Sequence, residues 1–264
     1  MPTAPINGID VYYQRSGSGS PLLFLNGSGA TLATARPILT AYAHDFDVAA
    51  HDQRGLGQTS IPPGPYTMAD YAADAAGLAA HLGWARYRVA GVSFGGMVAQ
   101  ELAVTFPERI ERLALLCTSP GGAGGSSYPL HTLADMSPDE RMATRTTLLD
   151  TRFTPAWLAE HETDQMIVRF MQAVEPVKAP EVLRGERLQL EARSDHDVFD
   201  RLGRIMCPTL VASGRYDGIA PPANGEAIAG QILDAELRLY EGGHLFMLQD
   251  PQAMPDVIEF LKGP

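Results

Sequence analysis

The segment Gly91-Val92-Ser93-Phe94-Gly95 places a serine between two glycines at the spacing G-x-S-x-G. It follows the apolar run Tyr87–Ala90 and precedes a stretch compatible with a helix, which is the context that a nucleophile elbow requires. Glycines beside the serine leave room for a sharp, strained turn. The amides at the start of the following helix would face negative charge that develops beside the serine. We therefore predict that Ser93 is a nucleophile.

A serine hydroxyl is a weak nucleophile at neutral pH and needs a base to take its proton. Among the seven histidines, His244 lies in the segment Glu241–Phe246, which follows the last predicted strand and precedes the final predicted helix. His51 is its rival, because it ends a predicted strand beside Asp52. However, the segment Asp52–Ser60 is typical of a structural turn, and we predict His244 as the base.

A carboxylate should hold the imidazole in the correct tautomer. Asp217 lies in a loop after the predicted strand Pro208–Ser213, which gives the chain order Ser, Asp, His. The segment Cys117–Pro120, after the preceding strand, offers no carboxylate. The alternative role for Asp217 is to cap a helix that begins near Pro222.

Attack on a carbonyl creates an oxyanion, which needs two preorganised N–H donors. We predict the backbone amides of Phe94 and of Ser28 for this role; the alternative for the loop around Ser28 is a plain turn. The predicted substrate contacts are four further residues: Asn26, Gly27, Trp157 and Phe246.

The elements that must position these residues alternate along the chain. Apolar runs predict strands, and longer amphipathic stretches between them predict helices. The predicted strands are Ile6–Gln14, Pro21–Leu25, Phe46–His51, Tyr87–Val92, Arg112–Cys117, Pro208–Ser213 and Ala235–Tyr240. The predicted helices are Met68–Leu82, Gly95–Phe106, Pro222–Ile232 and Gln252–Leu261. This alternation indicates an α/β fold with a largely parallel sheet, helices on both faces, and a site beyond the carboxyl ends of the strands.

About ninety residues separate the strand near Cys117 from the strand at Pro208, too many for a simple crossover. This region opens with a glycine-rich stretch and then becomes helical, and its methionines and aromatic residues favour a substrate-covering cap. The alternative is a set of ordinary surface helices. Its predicted helices are Ser137–Leu149, Pro155–His161 and Asp164–Val174.

The composition excludes several classes of protein. A formal net charge of −11 opposes binding to nucleic acid, and no apolar run is long enough to cross a bilayer. The N-terminal residues lack the pattern of a secretory signal, so we expect a cytoplasmic protein. Cys117 and Cys207 are the only cysteines and should be free thiols. Neither a metal site nor an organic cofactor is expected.

The sequence closely resembles the α/β-hydrolase superfamily, particularly small bacterial 3-oxoadipate enol-lactonases and carboxylesterases. The motifs that carry this resemblance are Gly91–Gly96, Asp52–Gly57, Gly214–Asp217 and Gly243-His244. The resemblance implies a core formed by residues 1–118 and 204–264, with a mostly parallel sheet of about eight strands. It also implies a cap of four or five helices within residues 119–203. Relatives commonly carry His-Gly where this chain has Asn26-Gly27. A serine at position 93 argues against haloalkane dehalogenase and epoxide hydrolase chemistry, which use a carboxylate nucleophile.

These observations predict a serine hydrolase that cleaves a small ester or lactone through an acyl-enzyme. One alternative is that the same residues hydrolyse a C–C bond or catalyse cofactor-free perhydrolysis. Another is a non-catalytic small-ligand receptor. Three cap arginines are candidates to hold a substrate carboxylate, although such residues are more often solvated: Arg141, Arg145 and Arg152. A homo-oligomer is compatible with the sequence.

Overall fold

The computed structural model describes residues 2–171 and 178–263, and its framework is one eight-stranded sheet. The strands are β1 (Thr3–Ile6), β2 (Ile9–Ser16), β3 (Ser20–Leu25), β4 (Phe46–His51), β5 (Tyr87–Val92), β6 (Ile110–Leu116), β7 (Thr209–Gly214) and β8 (Glu236–Tyr240). Their order across the sheet is β1-β2-β4-β3-β5-β6-β7-β8. β1 pairs with β2, and β2 with β4, in antiparallel fashion, whereas the remaining pairs are parallel.

Helices cover both faces of the sheet. The described helices are α1 (Leu32–Tyr42), α2 (Met68–His81), α3 (Phe94–Thr105), α4 (Pro138–Leu149), α5 (Pro155–Glu160), α6 (Glu162–Met171), α7 (Pro180–Ser194), α8 (Pro222–Gln231), α9 (Phe246–Gln249) and α10 (Ala253–Lys262). Residues of α2, α3 and α8 share one apolar cluster, and residues of α1, α9 and α10 share another. The predicted mostly parallel sheet with helices on both faces is confirmed.

Strand β3 shows why a continuous apolar run forms a central strand. Its side chains point alternately to the two faces, so Leu23 and Leu25 join the first cluster while Leu22 and Phe24 join the second. All four are buried. A strand covered on both faces must be apolar at every position, and this strand ends where the loop beginning at Asn26 emerges.

The N-terminal strand prediction needs correction. The alternation of apolar and polar residues predicts one strand over Ile6–Gln14, but the chain forms a hairpin in which Ile6 pairs with Ile9. Asn7 and Gly8 both have positive φ, 49° and 77°. This is the backbone of a two-residue hairpin turn, for which Asn-Gly is strongly preferred.

Helices α4 to α7 lie within the region predicted as a cap, residues 119–203. Residues of α4, α5 and α6 join two small apolar clusters that also include Ile219 and Leu245, whereas Leu188 and Ala192 of α7 join the first core cluster. Helix α7 was absent from the sequence prediction, as was α1 in the core. The last three residues of the predicted helix Asp164–Val174 lie outside the described residues. Within the described ranges, no helix is both long and apolar enough to span a bilayer.

The turn after β4 supports a loop at the carboxyl edge of the sheet. The Asp52 carboxylate accepts hydrogen bonds from the amides of Leu32 (2.7 Å) and Gln58 (2.8 Å). The neighbouring Gln53 side chain donates to the carbonyl oxygen of Asn26 at 2.8 Å. The structural role predicted for this turn therefore includes holding the loop that follows β3.

Candidate active site

Ser93 occupies a sharp turn between β5 and α3. Its backbone has φ 54° and ψ −116°, a conformation that L-residues rarely adopt. The turn brings the chain very close to β3, since a Cβ on Gly95 would overlap the carbonyl oxygen of Leu25. Likewise, a Cβ on Gly91 would overlap the carbonyl oxygen of Gly95. Both glycines are therefore required by close backbone approach, as the sequence pattern predicts.

The structure brings Ser93, His244 and Asp217 together in one hydrogen-bonded chain. Nε2 of His244 lies 3.0 Å from Oγ of Ser93, and Nδ1 lies 2.7 Å from Oδ2 of Asp217. All three residues are buried. Such an arrangement can move a proton from the hydroxyl to the imidazole while the carboxylate stabilises the resulting cation. The rival histidine, His51, is also buried, and burial lowers its pKa to about 4.

The carboxylate of Asp217 is held from both sides. Its Oδ1 accepts hydrogen bonds from the amides of Ile219 and Ala220, each at 2.8 Å, which leaves Oδ2 directed at the imidazole. The alternative role as a helix cap is not observed, because α8 begins at Pro222 and its N-cap position is Pro221. The Asp217 side chain instead accepts hydrogen bonds from backbone amides within its own turn.

The loop after β3 lies beside the nucleophile. A Cβ placed on Gly27 would lie 3.6 Å from the Cβ of Ser93. The Asn26 side chain accepts from the amide of Gly27 (3.0 Å) and donates to the carbonyl of Thr31 (3.3 Å). Asn26 thus orients this loop by hydrogen bonding.

Two backbone amides in this neighbourhood have no acceptor among the described residues. Within the described part of the chain, the amides of Ser28 and Phe94 make no hydrogen bond, whereas the amide of Gly29 donates to Gln189 of α7 at 2.8 Å. Ser28 lines the same cavity as Ser93, and Phe94 is the first residue of α3. The two amides are available for the oxyanion role predicted from the sequence.

A cavity of about 580 Å³ opens onto Ser93 and His244. Residues of the region predicted as the core form one side of it, and residues of the region predicted as a cap form the other. The core lining includes Asn26, Gly27 and Ser28; the cap lining includes Leu130, Pro138, Arg141, Met142, Arg145, Thr146, Leu148, Leu149, Val168 and Met171. Asn26 and Gly27 therefore lie where the sequence analysis expects substrate contacts.

The structure places the other two expected contacts, Trp157 and Phe246, elsewhere; neither belongs to the described lining of the cavity. Phe246 is fully buried in the core and stacks on Tyr240 at a centroid distance of 5.2 Å. Trp157 stacks on His161, and its indole N–H donates to Asp164 at 2.8 Å. Phe246 lies two residues from His244, and Trp157 lies in the region predicted as a cap, but neither position in the sequence determines which way the side chain faces.

The cap arginines separate into two groups. Arg141 and Arg145 line the cavity, whose described lining contains no carboxylate. Arg152 instead pairs with Asp150 at 2.7 Å and with Glu241 at 3.6 Å. The cavity is thus largely apolar, with a local positive charge in a chain of net charge −11.

The end of α4 holds the two loops that carry His244 and Asp217. The amide of His244 donates to the carbonyl of Leu149 at 2.6 Å, and the amide of Gly218 donates to the carbonyl of Leu148 at 3.1 Å. Helix α4 therefore supports the backbone beside both residues. No residue pattern predicts this contact, because backbone hydrogen bonds do not depend on the type of side chain.

Gln249 reinforces the same junction through its side chain. Its Oε1 accepts from the amide of Gly243 at 2.8 Å, and its Nε2 donates to Asp150 and Asp164, each at 3.0 Å. Asp150 is 0% exposed and Asp164 is also buried. One side-chain amide thus joins the His244 loop to two buried carboxylates of the region predicted as a cap.

We expect Gln249→Leu to lower the free energy of unfolding by about 3 kcal/mol, because it removes the acceptor of the buried Gly243 amide and one donor from each of two buried carboxylates, those of Asp150 and Asp164. Chemical denaturation would measure this loss. Gln252→Leu is the matched control, since its exposed amide donates to Asp256 at 2.8 Å. The control should change stability by no more than about 0.5 kcal/mol. Equal stabilities for the two variants would contradict the bridging role of Gln249.

The described residues contain no group of three or more His, Cys, Asp or Glu side chains placed to hold a metal ion. Both cysteines are buried and free. Burial raises the pKa of the Cys117 thiol well above its usual value.

Comparison with known proteins gives consistent matches over most of the chain. A family model described as the alpha/beta hydrolase fold matches residues 20–251. A poly(3-hydroxyalkanoate) depolymerase from Ectopseudomonas oleovorans is 31% identical over 245 residues, covering 92% of this chain and 84% of the relative. The 3-oxoadipate enol-lactonase 2 of Acinetobacter baylyi is 26% identical over 239 residues, covering 90% of this chain and 86% of the relative.

A solved structure gives the same result for the fold. The enol-lactonase from Burkholderia xenovorans LB400 superposes with a TM-score of 0.81 at 24% identity, covering 99% of this chain and 100% of that chain.

Proposed function

The chain belongs to the α/β-hydrolase family, as its resemblance predicts, and we propose that it is a serine hydrolase that cleaves a small carboxylic ester or lactone through an acyl-enzyme. The observation that carries the proposal is the position of His244, which lies within hydrogen-bond distance of both Ser93 and Asp217. The similarity to a poly(3-hydroxyalkanoate) depolymerase and to a 3-oxoadipate enol-lactonase supports ester or lactone chemistry.

In the first half of the proposed reaction, His244 takes the proton of Ser93 and the hydroxyl oxygen attacks the acyl carbon. The oxyanion that forms accepts hydrogen bonds from the amides of Ser28 and Phe94. His244 then gives its proton to the leaving alcohol or, for a lactone, to the ring oxygen. The carboxylate of Asp217 stabilises the imidazolium throughout.

In the second half, water takes the place of the hydroxyl. His244 deprotonates the water, which attacks the ester that joins the acyl group to Ser93. The same two amides hold the second oxyanion, and His244 returns the proton to Ser93. The free acid then leaves, and the protein is restored to its starting state.

The proposal is tested by labelling and turnover on the same preparation. A fluorophosphonate should label Ser93, and a graded series of esters and lactones should be hydrolysed to free acids. Labelling of Ser93 without turnover of any substrate would favour the non-catalytic receptor instead. Product analysis separates ester hydrolysis from C–C cleavage and perhydrolysis, because these release different products.

Arg141 and Arg145 lead us to propose that substrates with a carboxylate on the acyl chain are preferred. Among the described residues, neither arginine has an acidic partner within ion-pair distance. A guanidinium bound to a carboxylate contributes about 1.5–3 kcal/mol. The double substitution Arg141→Met with Arg145→Met should therefore lower kcat/KM for monomethyl adipate by about 10- to 100-fold.

The same double variant should hydrolyse methyl hexanoate at nearly the original rate, because that ester has the same chain length without the second carboxylate. Titration of the released acid at constant pH measures both substrates. Arg187→Met is the matched control, since Arg187 is exposed on α7 and pairs with Glu191 at 2.6 Å. An equal loss of kcat/KM on the charged and the neutral ester would contradict the proposed preference for a carboxylate.

A further inference from the structure

A second cavity, of about 210 Å³, lies at the junction of the core and α7. It is bordered by the start of α3, the glycine- and serine-rich segment after β6, and the last turn of α7. Ser93 and His244 do not belong to its described lining, so it is distinct from the cavity over the nucleophile. Three of its lining residues are polar and at least nine-tenths buried: Ser119, Arg193 and His196.

Arg193 is a buried cation without a carboxylate partner in the described structure. It is 5% exposed, and its guanidinium donates to the carbonyl of Tyr128 (2.9 Å) and to the hydroxyl of Ser127 (2.6 Å). Its Nε has no hydrogen-bond partner among the described residues. Burial lowers the pKa of Arg193 to about 10, so the group is still charged at neutral pH.

A buried charge without a compensating partner is strongly destabilising. Arg193 lies in the last turn of α7, where the helix dipole supplies about half an elementary negative charge. Two neutral acceptors and a partial dipole do not balance a full positive charge. The cavity beside the guanidinium is where a counter-ion can be accommodated.

Neighbouring groups supply further donors rather than acceptors with negative charge. The Ser119 side chain is 1% exposed, and its hydroxyl has no partner among the described residues. His196 is 5% exposed, and burial lowers its pKa to about 4, so the ring is neutral at pH 7 and carries one N–H donor. Two carboxylates interact electrostatically with His196, those of Glu101 and Asp197. The Glu101 carboxylate is neutralised by two hydrogen bonds from Arg201 (2.7 and 2.6 Å). Asp197 is an exposed residue.

We propose that this cavity binds a small oxyanion, a carboxylate or a phosphate, through Arg193, Ser119 and His196. The site is independent of the reaction proposed above, because it uses none of the residues assigned to that reaction. A bound anion would join α7 to the segment after β6. That segment begins next to Thr118, whose hydroxyl donates to the carbonyl of Ser93 at 2.8 Å.

The test is thermal unfolding of the intact chain at constant ionic strength, with chloride replaced by phosphate in one series and by acetate in another. At least one of the two anions, at about 100 times its Kd, should raise the midpoint by about 5 °C. The shift should disappear in Arg193→Gln and persist in Arg187→Gln, a change on the exposed face of the same helix. The anion that gives the shift distinguishes a phosphate site from a carboxylate site.

Calorimetric titration with the same anions covers the case in which Arg193→Gln does not fold. Ser119→Ala removes a single hydroxyl and should weaken binding by about tenfold, whereas Ser93→Ala should bind as the unchanged chain does. Absence of binding to the unchanged chain, or equal binding by the unchanged chain and Ser119→Ala, would overturn the proposal. Because Ser93→Ala serves as a binding-competent control, failure of this site and failure of the proposed hydrolysis give different results.

Discussion

Ser93→Ala is expected to lower kcat by about 10⁴-fold or more on every ester and lactone that the unchanged chain hydrolyses. The proposed acyl-enzyme forms on the Ser93 hydroxyl, which lies 3.0 Å from Nε2 of His244. Alanine removes the oxygen and leaves the backbone turn in place. The measurement is the rate of acid release at saturating substrate, together with fluorophosphonate labelling of the same preparation.

Ser18→Ala provides the control, because Ser18 is an exposed serine in the turn between β2 and β3. It should retain full activity and labelling. The residual rate of Ser93→Ala should not exceed what binding and the oxyanion donors supply without a nucleophile. Undiminished hydrolysis of all substrates by Ser93→Ala would show that the nucleophile is another group.

Most of the core could be predicted because its signals are local. Strands β4 and β5 have the limits expected from their apolar runs, and the nucleophile turn is marked by glycines that close packing requires. The hairpin at Asn7-Gly8 was missed although its signal is equally local, since alternation continues through the turn and suggests one strand. Helix α1 contains Pro37, which obscures its helical pattern.

The side chains of the site were predictable to the extent that the topology fixes their position. Ser93, Asp217 and His244 each follow a strand of a parallel sheet, and the carboxyl ends of such strands meet at one edge. The direction of Trp157 and Phe246 depends on how their helices pack, which neighbouring residues in the sequence do not determine. Phe246 turned toward the core because an apolar cluster is available there.

The contacts between the predicted cap and the core could not be predicted from the sequence, for a different reason. Gln249 is separated from Asp150 by 99 positions and from Asp164 by 85, and no spacing rule links them. Each is an ordinary polar residue until the fold buries it. The contact of Gln249 with these two carboxylates is recognised from the rule that buried donors and acceptors are paired in the folded structure.

Asp217→Asn should reduce kcat by about 10⁴-fold without unfolding the chain, and the reason lies in how the carboxylate is held. Oδ1 accepts the amides of Ile219 and Ala220, so the asparagine oxygen can keep those bonds. The asparagine NH₂ would then replace Oδ2 and face Nδ1 of His244. Because an amide nitrogen donates, Nδ1 must become the acceptor and the ring proton must move to Nε2.

An imidazole protonated at Nε2 donates toward Ser93 and cannot take its proton, so the proposed general base is lost while all three side chains stay in place. Heteronuclear NMR of the ring nitrogens would show the change of tautomer, and steady-state kinetics would show the fall in kcat. Asp200→Asn, on an exposed residue, should leave both unchanged. If Asp217→Asn kept its rate within about tenfold of the unchanged chain, Asp217 would not be the group that orients His244. The contrast with Ser93→Ala is informative, because Asp217→Asn should retain the hydroxyl but react far more slowly with a fluorophosphonate.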